Sequence, residues 1–578
     1  MKRMKKPNLI VGRFLLLTTC AILALPSSGA SPEVKIANGP MFSGRSNVHP
    51  NVLLSLSVEF PTVGVAYRGD NGTYNRNVEY IGYFNPAKCY VYEGGNRNLS
   101  EGYFRIHKGA DLATRECGGD SFSGNFMNWA ASSAIDMLRY ALTGGDRVTD
   151  TLTQTILQRA YLRDSDKSNN FYAHGTYFPR RKVSATANSS APNQVTPFKT
   201  DTLYVVSCRN RILFSDSSSG VMGNKEADKA FKYCASVHDG NGAPPPEAVD
   251  KKLGEYLARV EVCDSREGAE RTDLCQKYGS GYKPVGTLQR KSEKVRVAAM
   301  GYLLDDSERR YGGVLRAPMK YLGSKKLEAP DFLSVANDRL EWNPDTGVFH
   351  SNPETPADQN SAVSRSGVIN YLNKFGDSGN YKTFDPIGEL YYEGIRYLQG
   401  KQPTADATVG MTDAMKDRFP VIDARADPVT ASCQQNYILS IADVNTHWDR
   451  YIPGNDRTTY GAGNDAYDKA RAADPVVAGK TPALDVKTWT KKVGDMEVDA
   501  GGAYSNPAKN VGMTDLHNKD TGSGGHGTYY MAGLAYWANT NDIRSDKPVR
   551  VKTFAIDVDE GGNGQIDDNT RSIKPRNS

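Results

Sequence analysis

The stretch NVLLSLSVEFP, residues 51–61, decides the fold of this 578-residue chain and raises the question of its function. Its first six residues are nearly all apolar, which is typical of a strand that is covered on both faces of a sheet. The run then ends with the polar residues Ser57 and Glu59, and Pro61 stops it. Because ligands of open α/β sheets bind at the carboxyl ends of parallel strands, Ser57 and Glu59 mark the first candidate site.

A second stretch, NYILSIADV at 436–444, repeats the pattern of an apolar run with a polar end. We therefore predict that residues 51–57 and 436–442 are parallel neighbours in one sheet. Residues 294–303 and 550–557 are predicted to add further strands to it, the first as one arm of a hairpin.

Three other segments have helical patterns. The segment SGNFMNWAASSAIDMLRYALTGG predicts one helix, capped by Ser123 and ended by the glycine pair at 144–145. FDPIGELYYEGIRYLQG predicts a second helix with Asp385 as N-cap, Pro386 at its first position and Gly400 at its end. TYYMAGLAYWANT predicts a third.

Strands that alternate with helices indicate an α/β fold with a doubly wound sheet. A long stretch, residues 146–290, interrupts this alternation with loop compositions such as HDGNGAPPPE and the strand-like TLYVVSC and YLARVEVC. Since structureless connections of this length are uncommon in a compact domain, we expect an irregular α+β insertion that lies outside the main sheet.

The first thirty residues have the pattern of a secretory signal peptide. Basic residues precede an apolar core from Phe14 to Leu25, and the small residues Ser28 and Ala30 follow it. Cys20 as a lipoprotein cysteine is the alternative, although no small residue directly precedes it. We expect an exported protein, in the periplasm, at the outer surface or on a pilus, that is not an integral membrane protein.

Composition excludes few classes of function. The content is 39% hydrophobic and 24% charged, and the net charge of +5 is not gathered in a basic block, so nucleic-acid binding is not indicated. Export favours paired cysteines. The pair closest in sequence is Cys263 with Cys275, and the other candidates are Cys89 with Cys117 and Cys208 with Cys234, which leaves Cys433. Spacing alone does not fix this connectivity.

Taken together, the chain resembles a von Willebrand factor A domain and, more narrowly, the N-terminal half of the PilY/PilC family of type IV pilus-associated proteins. The segments that carry the resemblance are NVLLSLSVEFPT, EYIGYFNPAKCYVY, FSGNFMNWAASSAIDMLRYALTGG, YLARVEVCDS, LCQKYGSGYKPVGTLQ, FDPIGELYYEGIRYL, CQQNYILSIADVNTHWDRYIPG and GLAYWANTNDIR. The resemblance implies export, association with pili and their minor pilins, pilus assembly, control of retraction and twitching, and surface adhesion. It also implies that this chain is the N-terminal region of a longer architecture, without the C-terminal propeller.

On this basis the chain divides into five parts. We predict a signal peptide at 1–30, two parts of the von Willebrand A-like domain at 31–145 and 291–560, the insertion at 146–290, and a polar tail at 561–578.

The resemblance also implies a metal site, whose motif is incomplete here. Von Willebrand A domains hold a divalent cation through Asp-x-Ser-x-Ser, a Thr and an Asp. The matching positions here read Ser57, Glu59 and Pro61, then Thr383 or Asp385, and then Asp443. In one interpretation Ser57, Glu59, Asp385 and Asp443 still bind Mg²⁺ or Ca²⁺. In the other, which we favour, the scaffold remains and no metal binds, because octahedral Mg²⁺ sites tolerate few missing ligands.

A second candidate metal site lies in DVDEGGNGQIDDNT. Asp559, Asn563 and Asp567 fit an EF-hand-like calcium loop, but Thr570 stands where a bidentate Glu belongs. The alternative is a polar tail after a strand.

No motif of an enzyme is present in the sequence: H-E-x-x-H, G-x-S-x-G and a Walker A loop are all absent. We expect a pilus biogenesis factor and adhesin that acts through protein binding. No cofactor is indicated apart from the Ca²⁺ or Mg²⁺ considered above. The alternatives are a secreted hydrolase with the insertion as substrate domain, and a von Willebrand A binding module unrelated to pili.

Overall fold

The structure is a computed structural model. It describes residues 48–57, 60–67, 73–94, 102–160, 181–208, 210–217, 252–267, 274–279, 281–304, 310–354, 363–377, 382, 384–442, 446–457, 470–474, 482–499, 515–520 and 527–557. All of these lie within one compact unit. The predicted signal peptide, the calcium-like loop and the polar tail lie outside the described residues.

The described part of the chain contains nineteen strands and eight α-helices. The strands are β1 (Asn51–Leu56), β2 (Lys88–Glu93), β3 (Tyr103–Gly109), β4 (Phe122–Ser123), β5 (Arg147–Asp150), β6 (Thr155–Gln158), β7 (Arg181–Ser184), β8 (Thr202–Cys208), β9 (Arg211–Ser215), β10 (Lys252–Leu257), β11 (Arg259–Glu261), β12 (Cys275–Tyr278), β13 (Gly281–Pro284), β14 (Arg296–Gly301), β15 (Val314–Lys320), β16 (Lys325–Glu328), β17 (Leu333–Ala336), β18 (Asn436–Ala442) and β19 (Val551–Asp557). The helices are α1 (Gly124–Ala131), α2 (Ala134–Thr143), α3 (Pro192–Val195), α4 (Thr287–Arg290), α5 (Val368–Lys374), α6 (Ile387–Leu398), α7 (Val486–Asp499) and α8 (Tyr530–Thr540).

The first strand lies at the centre of a five-stranded sheet with the order β15–β14–β1–β18–β19. Strand β1 is parallel to both β14 and β18, with Asn51 level with Arg296 and Asn436. Strand β19 continues the parallel set beyond β18, and β15 returns antiparallel along β14. The prediction that NVLLSLS and NYILSIA are parallel neighbours is confirmed, and so is the hairpin of β14 and β15.

Helices cover both faces of the centre of this sheet, which is why its central strand β1 is apolar along most of its length. Side chains of a strand alternate between faces, and Leu53 and Leu54 are accordingly in different clusters of the core. Leu53 packs in the cluster that contains residues of α6 and α8, whereas Leu54 packs in the one that contains residues of α2 and α5. The described helices include none long and apolar enough to cross a membrane.

A second region has antiparallel sheets and an aromatic core. It contains a six-stranded sheet, β4–β2–β3–β11–β6–β5, and a four-stranded sheet, β10–β9–β8–β7. Its core gathers rings such as Tyr74, Phe104, Phe126, Trp129 and Phe214. The described strands of 146–290 stay out of the five-stranded sheet, as expected. We expected residues 31–145 to continue the main domain, but strands β2 to β4 belong to the second region. There β3 pairs with β2 on one side and with β11 on the other.

The single helix predicted from Ser123 to Gly144 is in fact two. Ser123 caps α1 through its side chain, as predicted, but the backbone is extended at Ser132 and Ser133. Ser133 and Asp136 then form a capping box that starts α2. Serine side chains compete with helical hydrogen bonds and favour caps, which explains the break.

Two predicted disulfides are present. The bonds Cys89–Cys117 and Cys263–Cys275 span Cα distances of 5.8 and 5.5 Å. Cys433 is free and exposed, in agreement with its being left over. The pairing of Cys208 with Cys234 is not tested, because Cys234 lies outside the described residues.

Candidate functional site

The carboxyl end of β1 lies where the sheet order runs outward on both sides, to β14 on one side and to β18 on the other. Loops that leave neighbouring strands in opposite directions open a crevice at such a point. Ser57 follows β1 directly and is buried, and its N–H donates to the carbonyl of Ile441 in β18 at 2.9 Å. Strand β1 therefore ends inside the protein, and the polar residue that follows it is held there.

Asp385 connects the ends of three strands. Its Oδ2 accepts a hydrogen bond of 3.4 Å from the Ser57 hydroxyl, and that hydroxyl also contacts the Tyr302 hydroxyl at 2.8 Å, just after β14. On the side of β18, the Nδ1 of His447 lies 3.0 Å from Asp385 Oδ1. The Thr446 hydroxyl donates to the Asp385 carbonyl at 2.9 Å. Two residues of the predicted metal set, Ser57 and Asp385, are thus brought together.

The Asp385 carboxylate is buried, and both of its oxygens have protein partners. Its side chain has no exposed surface, and that of His447 is 15% exposed. The Phe384 ring packs against the His447 ring with centroids 4.9 Å apart. A buried carboxylate needs such partners, because its transfer from water is otherwise costly. The structure meets this need with hydroxyl and imidazole groups.

Asp385 does not cap the helix that follows it, which corrects the sequence prediction. Helix α6 begins at Ile387, its N-cap residue is Pro386, and no side chain of the N-cap residue bonds to the first turn. The carboxylate of Asp385 is turned towards Ser57 and His447 instead. A proline at the cap position has no polar side chain, so the first turn depends on groups from elsewhere in the chain.

Asp449 lies beside the first turn of α6 and was not predicted from the sequence. It is fully buried, and its Oδ1 accepts from the backbone N–H of Thr528 at 2.8 Å and from the Thr528 hydroxyl at 2.9 Å. Burial raises the pKa of Asp449, and the hydrogen bonds from Thr528 partly oppose that rise. A Cβ at position 388 would lie 3.0 Å from Asp449 Oδ2, so glycine allows this close approach. The sequence signal was the acid in NTHWDRY, two residues after His447.

Two further acids continue from Asp385 along α6 at steps of four residues, and both are fully buried. Glu389 accepts from the backbone N–H groups of Gly312 and Tyr451, each at 2.9 Å. Glu393 accepts from the Thr404 hydroxyl at 2.7 Å and pairs with Arg425 at 3.2 Å. Residues four apart share one face of a helix. This face therefore anchors the surrounding loops to the sheet.

Of the predicted oxygen ligands at this site, the described residues include Ser57 and Asp385. Ser57 and Asp385 offer hydroxyl and carboxylate oxygens, but those atoms are engaged by Tyr302 and His447. Mg²⁺ requires near-octahedral coordination by oxygen. The remaining predicted ligands, Glu59, Thr383 and Asp443, lie outside the described residues, as do Asp559, Asn563 and Asp567.

The arrangement is also unsuited to a nucleophilic triad. In such a triad the imidazole lies between the serine and the acid, so that it takes the hydroxyl proton. Here Asp385 lies between Ser57 and His447. The order of the three groups therefore differs from that of a nucleophilic triad.

Two family models match the chain. One, described as the small alpha/beta domain of PilY1 homologues, matches residues 71–230, and the other, described as their second domain, matches residues 307–538. No solved structure matches.

Two similar proteins come from Xylella fastidiosa strain Temecula1, and each is named type IV pilus biogenesis factor PilY1 homolog. One is 33% identical over an alignment of 588 residues, which covers 98% of this chain and 45% of the relative. The other is 24% identical and covers 83% of this chain and 33% of the relative. The chain thus spans less than half the length of either relative. Identity along nearly the whole chain, together with both domain models, shows that the chain belongs to the PilY1 homologue family.

Proposed function

We propose that this chain is an exported type IV pilus biogenesis factor and adhesin that acts by binding other proteins. The observation that carries the proposal is the 33% identity to a named pilus biogenesis factor along 98% of the chain. The two disulfides fit an oxidising compartment, where such bonds persist. The partners proposed are the minor pilins of the pilus and, for adhesion, host or abiotic surfaces.

For the scaffold we propose a von Willebrand factor A-like sheet. Its support is the order β15–β14–β1–β18–β19, with four parallel strands, one antiparallel edge strand and helices on both faces. On this scaffold, the cluster of Ser57, Tyr302, Asp385 and His447 at the strand ends has a structural role. It holds the segments after β1, β14 and β18 in place by hydrogen bonds, and it needs no bound cation to do so.

The first experiment is deletion of the gene, with complementation by the parent chain. We expect few surface pili by electron microscopy and small twitching zones in the deletion strain, and recovery of both on complementation. Because one organism carries two such relatives, the deletion belongs in a strain freed of other homologues. Normal piliation and motility in that strain would contradict the proposal.

A second experiment separates the scaffold role from direct binding. Asp385→Asn changes the buried cluster, and Asp120→Asn changes an exposed carboxylate that pairs only with Lys108 and Ser121. We expect Asp385→Asn to reduce the amount of the chain in sheared pilus preparations, and Asp120→Asn to leave it unchanged. Equal amounts of the parent chain and both variants would show that the cluster is dispensable for pilus association.

A further inference from the structure

Cys263, Glu267 and Cys275 lie together in the second region of the molecule. Cys263 follows β11, Cys275 begins β12, and Glu267 lies four residues after Cys263 in the same turn. One sulfur or carboxylate oxygen from each residue lies within 4.8 Å of the others. The Glu267 carboxylate is buried, with 2% of the residue exposed.

Glu267 faces the disulfide closely. Its Oε2 accepts from the backbone N–H of Cys263 at 3.1 Å and lies 3.4 Å from the Cys275 sulfur. A sulfur in a disulfide carries no hydrogen, so the second distance is a contact in the oxidised state. After reduction, the Cys275 thiol can donate to this carboxylate, and hydrogen bonds to charged groups are the stronger ones. Glu267 therefore favours the reduced pair.

The other disulfide has a different environment. The atoms near the Cys89 sulfur are the carbonyl oxygens of Gly109 and Glu116, at 3.5 and 4.0 Å, and both cysteines are buried. Cys275, by contrast, is partly exposed. A reductant in solution thus reaches the Cys263–Cys275 bond more readily, and of the two disulfides among the described residues this is the one with a carboxylate oxygen against its sulfur.

We propose that Cys263, Glu267 and Cys275 form a redox-controlled site for Zn²⁺, closed as a disulfide and able to bind the metal once reduced. Thiolate sulfur and carboxylate oxygen are the ligands that zinc accepts, and a water molecule completes four-coordination. Soft sulfur ligands disfavour Mg²⁺ and Ca²⁺, so the site differs in kind from the oxygen-based one considered at the sheet end. A bound cation also offsets the cost of burying Glu267.

A dithiol serves as the reductant of the Cys263–Cys275 disulfide. Its thiolate attacks one sulfur of the disulfide and releases the other as a thiolate, which leaves a mixed disulfide. The second thiol of the dithiol then attacks the mixed disulfide and releases the first sulfur, so that two electrons pass and the dithiol becomes a cyclic disulfide. Binding of Zn²⁺ then displaces two thiol protons and leaves two thiolates and one carboxylate on the metal.

The test uses the purified full chain, reduced with a phosphine that does not compete for zinc. Co²⁺ serves as the spectroscopic probe, and Zn²⁺ is then titrated in to displace it. We expect one Co²⁺ per reduced chain with sulfur-to-cobalt charge-transfer absorption, and no such absorption for the oxidised chain. Cys263→Ser is expected to abolish it, and Cys433→Ser, which removes the free exposed thiol, to leave it unchanged.

Glu267→Gln tests the third ligand. It keeps the shape and an acceptor for the Cys263 N–H, so the oxidised fold can be checked by its unfolding midpoint. We expect it to weaken Zn²⁺ binding at least about tenfold, as loss of groups that support a metal site typically does. The proposal is overturned if the reduced parent binds no metal, if Cys263→Ser binds as well as the parent, or if Glu267→Gln has the parent's affinity.

Discussion

The two regions of this molecule bury their interiors with different side chains. The strands of the five-stranded sheet bury mainly aliphatic residues on both faces, rings from the covering helices pack in the same clusters, and buried acids lie near its carboxyl end. The second region uses aromatic rings between antiparallel sheets and contains both described disulfides. Parallel strands that are covered on both faces are rich in aliphatic residues. In antiparallel sheets, aromatic rings on neighbouring strands stabilise the pairing. Rings thus make up a larger share of the core in the second region, whereas the acids of α6 give the first region its buried polar pairs.

The largest effect is expected from loss of a ring in the second region. Phe126 is fully buried, and its ring lies 5.4 Å from that of Tyr74 and 5.5 Å from that of Trp129. Phe126→Ala should lower the free energy of unfolding by about 3–5 kcal/mol, because the cavity adds to the lost transfer energy. Urea unfolding of the full chain, followed by circular dichroism, measures this.

Two substitutions calibrate that result. Leu53→Ala removes a fully buried aliphatic side chain of the first region, with an expected cost of about 2–5 kcal/mol. Leu112→Ala removes one that is 77% exposed, and we expect a change within about 0.5 kcal/mol. If Leu53→Ala costs more than Phe126→Ala, the second region does not depend on its rings more than the first depends on its aliphatic core.

The next effect concerns polar pairing in the first region. Glu393 and Arg425 form a buried pair, and burial lowers the pKa of Arg425 while Glu393 opposes that shift. Arg425→Met leaves the Glu393 carboxylate buried without its main cation, although Arg396 stays 3.9 Å away. We expect a loss of about 3 kcal/mol.

An exposed pair supplies the control for that substitution. Lys491 and Asp495 pair on α7 with about half of each side chain exposed, at 52% and 48%. Lys491→Met should therefore change stability by less than about 0.5 kcal/mol. A double variant, Arg425→Met with Glu393→Met, should recover much of the loss, because it removes the stranded charge. If it recovers nothing, the cost lies in packing rather than in charge.

Asp449 gives the first region a dependence on pH. Burial raises its pKa above the ordinary 3.8, so the folded chain holds this proton after the unfolded chain has lost it. Stability due to this group therefore falls as pH rises from about 4 through the raised pKa, by up to about 1.4 kcal/mol per pH unit. Asp449→Asn should remove this slope. The free energy of unfolding of the variant should therefore rise relative to that of the parent as the pH approaches 7.

Asp546 is the control acid, because its pKa is shifted in the opposite direction. Arg544 lowers the pKa of this exposed carboxyl to about 2, so its contribution is constant between about pH 4 and pH 7. The stability difference between Asp546→Asn and the parent should accordingly be flat over that window. If the Asp449→Asn difference is equally flat, Asp449 is not the acid that makes the first region sensitive to pH.

The sequence predicted the two regions unequally, for physical reasons. Strands β1, β14 and β18 were found from their apolar runs and β19 from its alternating pattern, both of which are local signals. The six-stranded sheet was not, because β3 pairs with β11 across more than 150 residues and Val260 meets Phe104 alone in that ladder. Parallel pairing of such short, distant strands leaves no periodic pattern in the sequence.

The candidate site was predicted in part. Ser57 and Asp385 do lie together, since the carboxyl ends of parallel strands and the helices that follow them share one edge. The role of Asp385 was wrong, because a proline after an acid suggests a cap when only local geometry is considered. His447 and Asp449 reach the site through a loop whose path depends on tertiary contacts. Their positions could not follow from spacing.

The smallest effect is expected from divalent cations, and it tests whether the first region satisfies its polar groups internally. With Asp385 bound to Ser57 and His447, millimolar Mg²⁺ should raise the free energy of unfolding by less than about 0.5 kcal/mol, since mass action gives little stabilisation when binding is weak. The same titration with Ca²⁺ compares the parent with Asp385→Asn and Asp559→Ala, and calorimetry measures the affinity. Ca²⁺ binding that is lost in Asp559→Ala but kept in Asp385→Asn would assign the ion to the predicted calcium loop. The first region would then still satisfy its polar groups internally. Tight Mg²⁺ binding that Asp385→Asn abolishes would show that the sheet end holds a metal, and that its hydrogen bonds to Ser57 and His447 are exchanged for metal ligands.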